Sequence, residues 1–232
     1  MPAKNKAPRK RVLIVDDHPM MRTGLAQLID NEKDLKVGAE ADNARTAMDI
    51  AVSQALDLIL LDISLPDKNG LELIKDIRAL KPGLPILVVS MHDESLYAER
   101  VLRAGGRGYI MKQEGGKKLL LAIRQVLSGQ IYVSEKMSAG ILESFSGRHA
   151  EGAISPVQQL SDREFEVFQL IGQGESTREI AAHLHLSAKT VEVHRLNIKK
   201  KLKLKTATDL VRHAVRWLET ERSGGLDVSE KS

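Results

Sequence analysis

The chain has 232 residues, of which 42% are hydrophobic and 28% charged, with no cysteine and a formal net charge of +4. That length suits two small domains better than one large one, and the missing thiols exclude disulfide frameworks and thiolate zinc centres and fit a reducing compartment. The basic start from Met1 to Arg11 lacks a signal-like apolar core and no apolar run is long enough to span a bilayer, so a cytoplasmic protein without membrane contact is expected.

The first apolar run, Arg11-Val12-Leu13-Ile14-Val15, does not alternate and stops at Asp16-Asp17. Unalternating aliphatic runs are typical of strands buried on both faces. The pattern predicts strands near 11–15, 35–40, 57–61, 85–89 and 108–111, separated by helices near 19–31, 43–54, 70–80, 94–104 and 116–128. Pro66 and Gly70, the Pro82-Gly83-Leu84-Pro85 stretch and Gly105-Gly106 punctuate it. Such alternation predicts an α/β doubly wound, flavodoxin-like domain over residues 10–130.

In an open parallel sheet the carboxyl ends of the strands share a crevice, so Asp16, Asp17 and Asp62, the last of which ends Leu58-Ile59-Leu60-Leu61, should meet there. Like charges held together either raise a pKa or recruit a cation, and oxygen donors alone suit Mg²⁺. The cluster therefore predicts phosphoryl chemistry. Singly, Asp16 or Ser90 would read as a cap or turn residue and Lys112 as a solvated lysine; their joint position at strand ends argues otherwise.

Residues 131–156 are expected to be a linker, with a short helix near 134–145 and a stretch of little apolar periodicity after it. From Leu160 onward the pattern is helical. Ser161-x-x-Glu164 and Ser176-x-x-Glu179 are capping boxes, Ser187 is a third cap, Gly172 and Gly174 end one helix, and His185-Leu186 makes a tight turn. A small all-α helix-turn-helix domain over 157–222 follows. Charge is uneven: residues 11–127 hold 16 basic and 17 acidic side chains, whereas 187–205 hold Lys189, Arg195, Lys199, Lys200, Lys201, Lys203 and Lys205 against Glu192 alone. A basic helix in such a module points to double-stranded DNA.

Wound at helical pitch, residues 188–202 place Val191, Ile198 and Leu202 on one face and Lys189, Glu192, Val193, Leu196 and Lys200 on the other. The mixed face suits a major groove, where apolar groups meet thymine methyls and a glutamate accepts from cytosine N4. Glu192, Val193 and Leu196 are candidates for base edges, and Lys189, Thr190, Arg195, Lys199, Lys200 and Lys203 for contacts that position the helix, mostly on phosphates. Packing in a core or a dimer is the competing role for Val193 and Leu196.

The first half, with Asp16-Asp17, Asp62 through Gly70, Ser90 and Lys112 in order at strand ends, resembles the receiver domain of a bacterial two-component response regulator. The second, with Leu160 through Val167, Gly174, Ile180-Ala181, Leu186-Ser187, Lys189-Thr190-Val191, His194 and Asn197-Ile198, resembles the LuxR-type helix-turn-helix of the NarL/FixJ regulators. The resemblance implies that Asp62 accepts a phosphoryl group from a sensor histidine kinase. Asp16, Asp17 and Asp62 would organise Mg²⁺, Lys112 and Ser90 would contact the phosphoryl oxygens, and Tyr109 would be the aromatic switch. It further implies a homodimer on phosphorylation, and no enzyme beyond the receiver's own phosphotransfer and dephosphorylation. Three residues differ from those frequent in relatives: Thr177 for asparagine, Glu192 for a basic residue and Ala207 for arginine. The alternatives are a DNA-binding regulator whose receiver is a phosphorylation-independent dimerisation module, and an aspartyl-phosphate phosphohydrolase, which would want a second acid where Ser64 stands.

Overall fold

The computed structural model describes residues 8–135, 137–138 and 156–223. The helix expected near 134–145 and most of the linker lie largely outside them. The chain forms two compact units, divided between Ser146 and Gly147.

The first unit is a five-stranded parallel sheet in the order β2-β1-β3-β4-β5, with β1 at Lys10–Val15, β2 at Leu35–Ala41, β3 at Leu58–Leu61, β4 at Ile86–Ser90 and β5 at Gly108–Met111. Helices α1 (Pro19–Asp30), α2 (Ala44–Ser53), α3 (Gly70–Leu80), α4 (Glu94–Ala104) and α5 (Gly116–Leu127) connect or follow the strands. Side chains alternate across each strand. Val12, Ile14, Leu58, Leu60, Leu87 and Val89 pack with Leu25 and Ile29 of α1 and with Leu119, Ile123 and Val126 of α5. The intervening Leu13, Val15, Ile59 and Leu61 are equally buried toward the other layer, which explains the unalternating runs. Each such side chain contributes roughly 1.5–3 kcal/mol on burial.

Local signals fix the helix starts. Pro19 opens α1, while Asn43, Asn69 and Asp93 cap α2, α3 and α4 by accepting from Thr46 N, Leu71 N and Ser95 N. Beyond α5, Tyr132 adds a short parallel bridge to β5: its N–H donates to Arg107 O at 3.0 Å and its carbonyl accepts from Tyr109 N at 2.9 Å. Ser134 N then donates to Glu94 Oε1 at 2.8 Å. Residues 132–134, placed in the linker from sequence, are thus hydrogen-bonded to the sheet unit.

The second unit holds α6 (Asp162–Gly172), α7 (Thr177–His183), α8 (Ala188–Lys201) and α9 (Ala207–Ser223). Both capping boxes form, with Ser161 N donating to Glu164 Oε2 at 2.8 Å and Ser176 N to Glu179 Oε2 at 2.7 Å. His185, at φ 52°, makes the turn before α8. Phe165 and Phe168 of α6 pack against Trp217 of α9 at ring separations of 5.6 and 5.5 Å, and Val191, Ile198 and Leu202 of the basic helix are buried. No helix among the described residues is long and apolar enough to cross a membrane.

Candidate metal centre and nucleic-acid interface

Asp16 follows β1 and Asp62 follows β3, and these strands are neighbours in register, Val15 opposite Leu61. Asp62 N donates to Val15 O at 2.8 Å, which continues the ladder by one residue and holds the two carboxylates side by side. β2 and β3 flank β1 on opposite sides, so connections leave toward opposite layers and open a crevice at this point. Lys112, the residue after β5, reaches across it: Nζ lies 2.6 Å from Asp62 Oδ2 and 2.8 Å from Asp16 Oδ2. All three side chains are at most 4% exposed.

Burial, with a smaller contribution from the Asp16 charge, raises the Asp62 pKa above its ordinary value even though Lys112 opposes the shift. Burial works against the Lys112 ammonium, but the Asp62 charge and hydrogen bonds to Asp16 and Asp62 hold its pKa above the usual value. The lysine is thus charged and serves as the internal counter-ion of two buried acids.

Asp17 is half-buried beside them. Its Oδ1 is a buried atom with no hydrogen-bond partner, although His18 Nδ1 lies 2.6 Å away. One ligand atom each from Asp16, Asp17, His18 and Asp62 lie within 4.8 Å of one another. Carboxylate oxygens in a tight group, one lacking a hydrogen-bond donor, fit a hard divalent cation such as Mg²⁺.

Ser90 ends β4 fully buried, and its Oγ accepts from His92 N at 3.2 Å. Tyr109 is also fully buried; its hydroxyl donates to His92 O at 2.7 Å, and burial above all raises its pKa. The His92 ring stacks on Tyr97 at 4.7 Å and its Nε2 lies 3.1 Å from Ser64 Oγ. Nothing in the sequence alone assigns chemistry to His18, His92 or Ser64. Ser64 and His92 each stand two residues beyond an assigned strand-end residue, and that spacing was the available signal.

In the second unit Ser187 caps α8 by accepting from Thr190 N at 3.0 Å, and the Thr190 hydroxyl joins Ser187 Oγ at 2.8 Å. Val193 and Leu196 are 51% and 47% exposed, so the module's core does not use them. Lys189, Glu192, Lys200 and Lys203 are exposed, whereas Thr190, Arg195 and Lys199 are half-buried. Lys201 is committed elsewhere: its Nζ donates to Glu164 Oε2 at 2.6 Å. Thr177 Oγ1 donates to Glu192 Oε1 at 2.7 Å, a contact the sequence reading did not anticipate.

Comparison with known proteins agrees with this geometry. Residues 12–124 match the response regulator receiver domain and residues 158–214 the bacterial regulatory proteins of the luxR family. The oxygen regulatory protein NreC of Staphylococcus aureus is 35% identical over 210 residues, covering 89% of this chain and 97% of the relative. RcsB of Salmonella enterica serovar Typhimurium, solved bound to a promoter in the presence of phosphomimetic BeF₃⁻, is 25% identical with a TM-score of 0.59, over 90% of this chain and 99% of that one. A LuxR-family two-component response regulator from Aurantimonas sp. SI85-9A1 is 31% identical with a TM-score of 0.56, over 60% of this chain and 99% of that one. The chain belongs to the NarL/FixJ-type bacterial response regulators, a receiver followed by a LuxR-type helix-turn-helix, and is a DNA-binding transcription regulator rather than an enzyme.

Proposed function

We propose that Asp62 accepts a phosphoryl group from a sensor histidine kinase and that this modification raises the affinity of the chain, as a dimer, for promoter DNA. The observation that carries the reading is the buried Lys112 ammonium joined to both Asp62 and Asp16 at the carboxyl end of the sheet. A carboxylate is a weak nucleophile, so the work lies in positioning it and in neutralising the oxygens of the group it receives. An Asp62 oxygen forms the new P–O bond as the N–P bond of the kinase's phosphohistidine breaks, and the electron pair returns to the imidazole nitrogen, which takes up a proton. Lys112 exchanges a carboxylate for a phosphoryl oxygen and the Ser90 hydroxyl donates to another. Asp16, Asp17 and Asp62 would hold Mg²⁺, which when bound neutralises phosphoryl charge.

New charge-assisted hydrogen bonds of this kind are worth about 1.5–3 kcal/mol each, the same scale as the gap between two states of a switch. Ser90 and Tyr109 both bond to His92, so a phosphoryl group that draws Ser90 acts on the segment leading into α4. Residues 10–130 serve as receiver, 131–156 as linker and 157–222 as output module in the bacterial cytoplasm. Glu192, Val193 and Leu196 face base edges, while Lys189, Thr190, Arg195, Lys199, Lys200 and Lys203 hold the helix against the backbone.

The test of the acceptor is direct. Incubated with Mg²⁺ and acetyl phosphate, the full chain should gain one phosphoryl group by intact-mass measurement and Asp62→Asn none; a modified Asp62→Asn chain refutes the assignment.

A further inference from the structure

We propose that Glu192 reads the DNA sequence and that Thr177 on the preceding helix positions it, so that each half-site carries, at one place, a base offering an exocyclic amine in the major groove, cytosine before adenine. The inference rests on the DNA-binding role of α8 and deepens it. Glu192 is the only acid between residues 187 and 205, and it stands on the exposed face with Val193 and Leu196. Its side chain is 62% exposed, yet it is tethered: Thr177 Oγ1 donates to Oε1 at 2.7 Å, and Arg195 Nε lies 3.9 Å from the same oxygen. Oε2 has no partner among the described residues.

Thr177 is itself fixed, being the first residue of α7 next to the Ser176–Glu179 capping box. A short side chain anchored at a capped helix start thus holds a longer one on α8, and less rotamer freedom remains to be lost when the helix meets DNA. The chemistry of the held group is restrictive. An ionised carboxylate only accepts hydrogen bonds. In the major groove cytosine N4 and adenine N6 donate, whereas guanine and thymine present acceptors. Cytosine is favoured over adenine because the adenine amine has the N7 acceptor beside it, which would face the carboxylate.

A negative charge in a basic, phosphate-facing tract opposes attraction to the backbone. Its benefit is selectivity: opposite a donor the carboxylate is satisfied, and opposite an acceptor it is left desolvated and unpaired. A wrong base should therefore weaken binding about tenfold at that position, at the lower end of what one base contact discriminates.

The experiment selects random-sequence duplexes on the full chain with Mg²⁺ and beryllofluoride and sequences those retained. Wild type should enrich a motif with cytosine at one position of each half-site. Glu192→Gln, which both donates and accepts, should move that position toward adenine. Glu192→Ala should flatten it and leave the rest of the motif unchanged. Thr177→Val should weaken the preference about threefold, the loss expected of one hydrogen bond, with Trp217 emission unchanged. A Glu192→Ala motif identical to wild type overturns the proposal, and so does loss of enrichment at every position with Trp217 emission unchanged, because the pair would then only set the angle between α7 and α8. Wild-type protein that enriches nothing would refute the DNA-binding role itself, an outcome distinct from an unchanged motif.

Discussion

Replacing Lys112 by methionine keeps an unbranched side chain, one atom shorter, and removes the charge from between two buried carboxylates. Nζ stands 2.6 Å from Asp62 and 2.8 Å from Asp16. At an effective dielectric of about 20 each contact is worth about 6 kcal/mol of gross attraction. The net loss is smaller, because one carboxyl can take up a proton; keeping an ordinary carboxyl neutral at pH 7 costs about 4 kcal/mol. The expected destabilisation without metal is therefore about 3–4 kcal/mol, in the range found when one partner of a buried pair is removed. The chain supplies its own probes, since Tyr97, Tyr109 and Tyr132 are the only tyrosines and lie in the sheet unit, while Trp217 is the only tryptophan and lies in the helical unit. Urea unfolding followed by tyrosine emission should show the loss and the Trp217 transition should not. Millimolar Mg²⁺ should restore more stability to Lys112→Met than it adds to wild type. A loss below about 1 kcal/mol in the tyrosine-monitored transition would refute the counter-ion role.

Gly70→Ala places a Cβ 2.7 Å from Ile63 Cα and 2.9 Å from Asp62 O, so the loop carrying Asp62 must move; a loss of about 1–3 kcal/mol is expected in urea unfolding followed by tyrosine emission, and an unchanged midpoint would contradict it. Phe168→Ala removes a fully buried ring that packs on Trp217. It should cost about 3–5 kcal/mol and shift native tryptophan emission to longer wavelength; unshifted emission would argue against this packing. Glu164 is subject to burial, which would raise its pKa, but Lys201 and the Ser161 cap prevail and hold it below the ordinary 4.5. The unfolded chain therefore binds that proton more tightly: the stabilisation is present above 4.5 and is lost as pH falls through the lower folded value. Glu164→Gln should flatten Trp217-monitored stability between about pH 5 and pH 3, and an unaltered acid slope would sink the assignment.

The sheet was legible because burial on both faces removes the polar alternation that most strands show, and the acids that stop β1 and β3 mark where the chain leaves the sheet. Asp16, Asp62, Ser90 and Lys112 could be placed for the same reason, since each stands at or just past a strand end. Contacts made by loops and helix crossings were not legible. His92 meets Ser64 across 28 residues and Thr177 meets Glu192 across 15, through backbone paths that no local periodicity encodes. Tyr132 joins the sheet unit through backbone hydrogen bonds, which need no particular side chain, and packs its ring against the core; the β-favouring Ile131-Tyr132-Val133 was its only trace. Edges also moved by a residue where proline intervenes: β4 begins at Ile86 because Pro85 has no N–H to give, although its carbonyl still accepts from Ile59 N at 3.0 Å.

The central claim is that a phosphoryl group on Asp62 licenses DNA binding, and genomic selection tests it most directly. Fragments retained by the full chain are sequenced with Mg²⁺ alone and with Mg²⁺ plus beryllofluoride, for wild type and for Asp62→Ala. Enrichment of a few promoters by wild type only with the mimic, and by Asp62→Ala in neither condition, is the predicted result. Equal enrichment by wild type in both conditions, or a response to the mimic by Asp62→Ala, would contradict it.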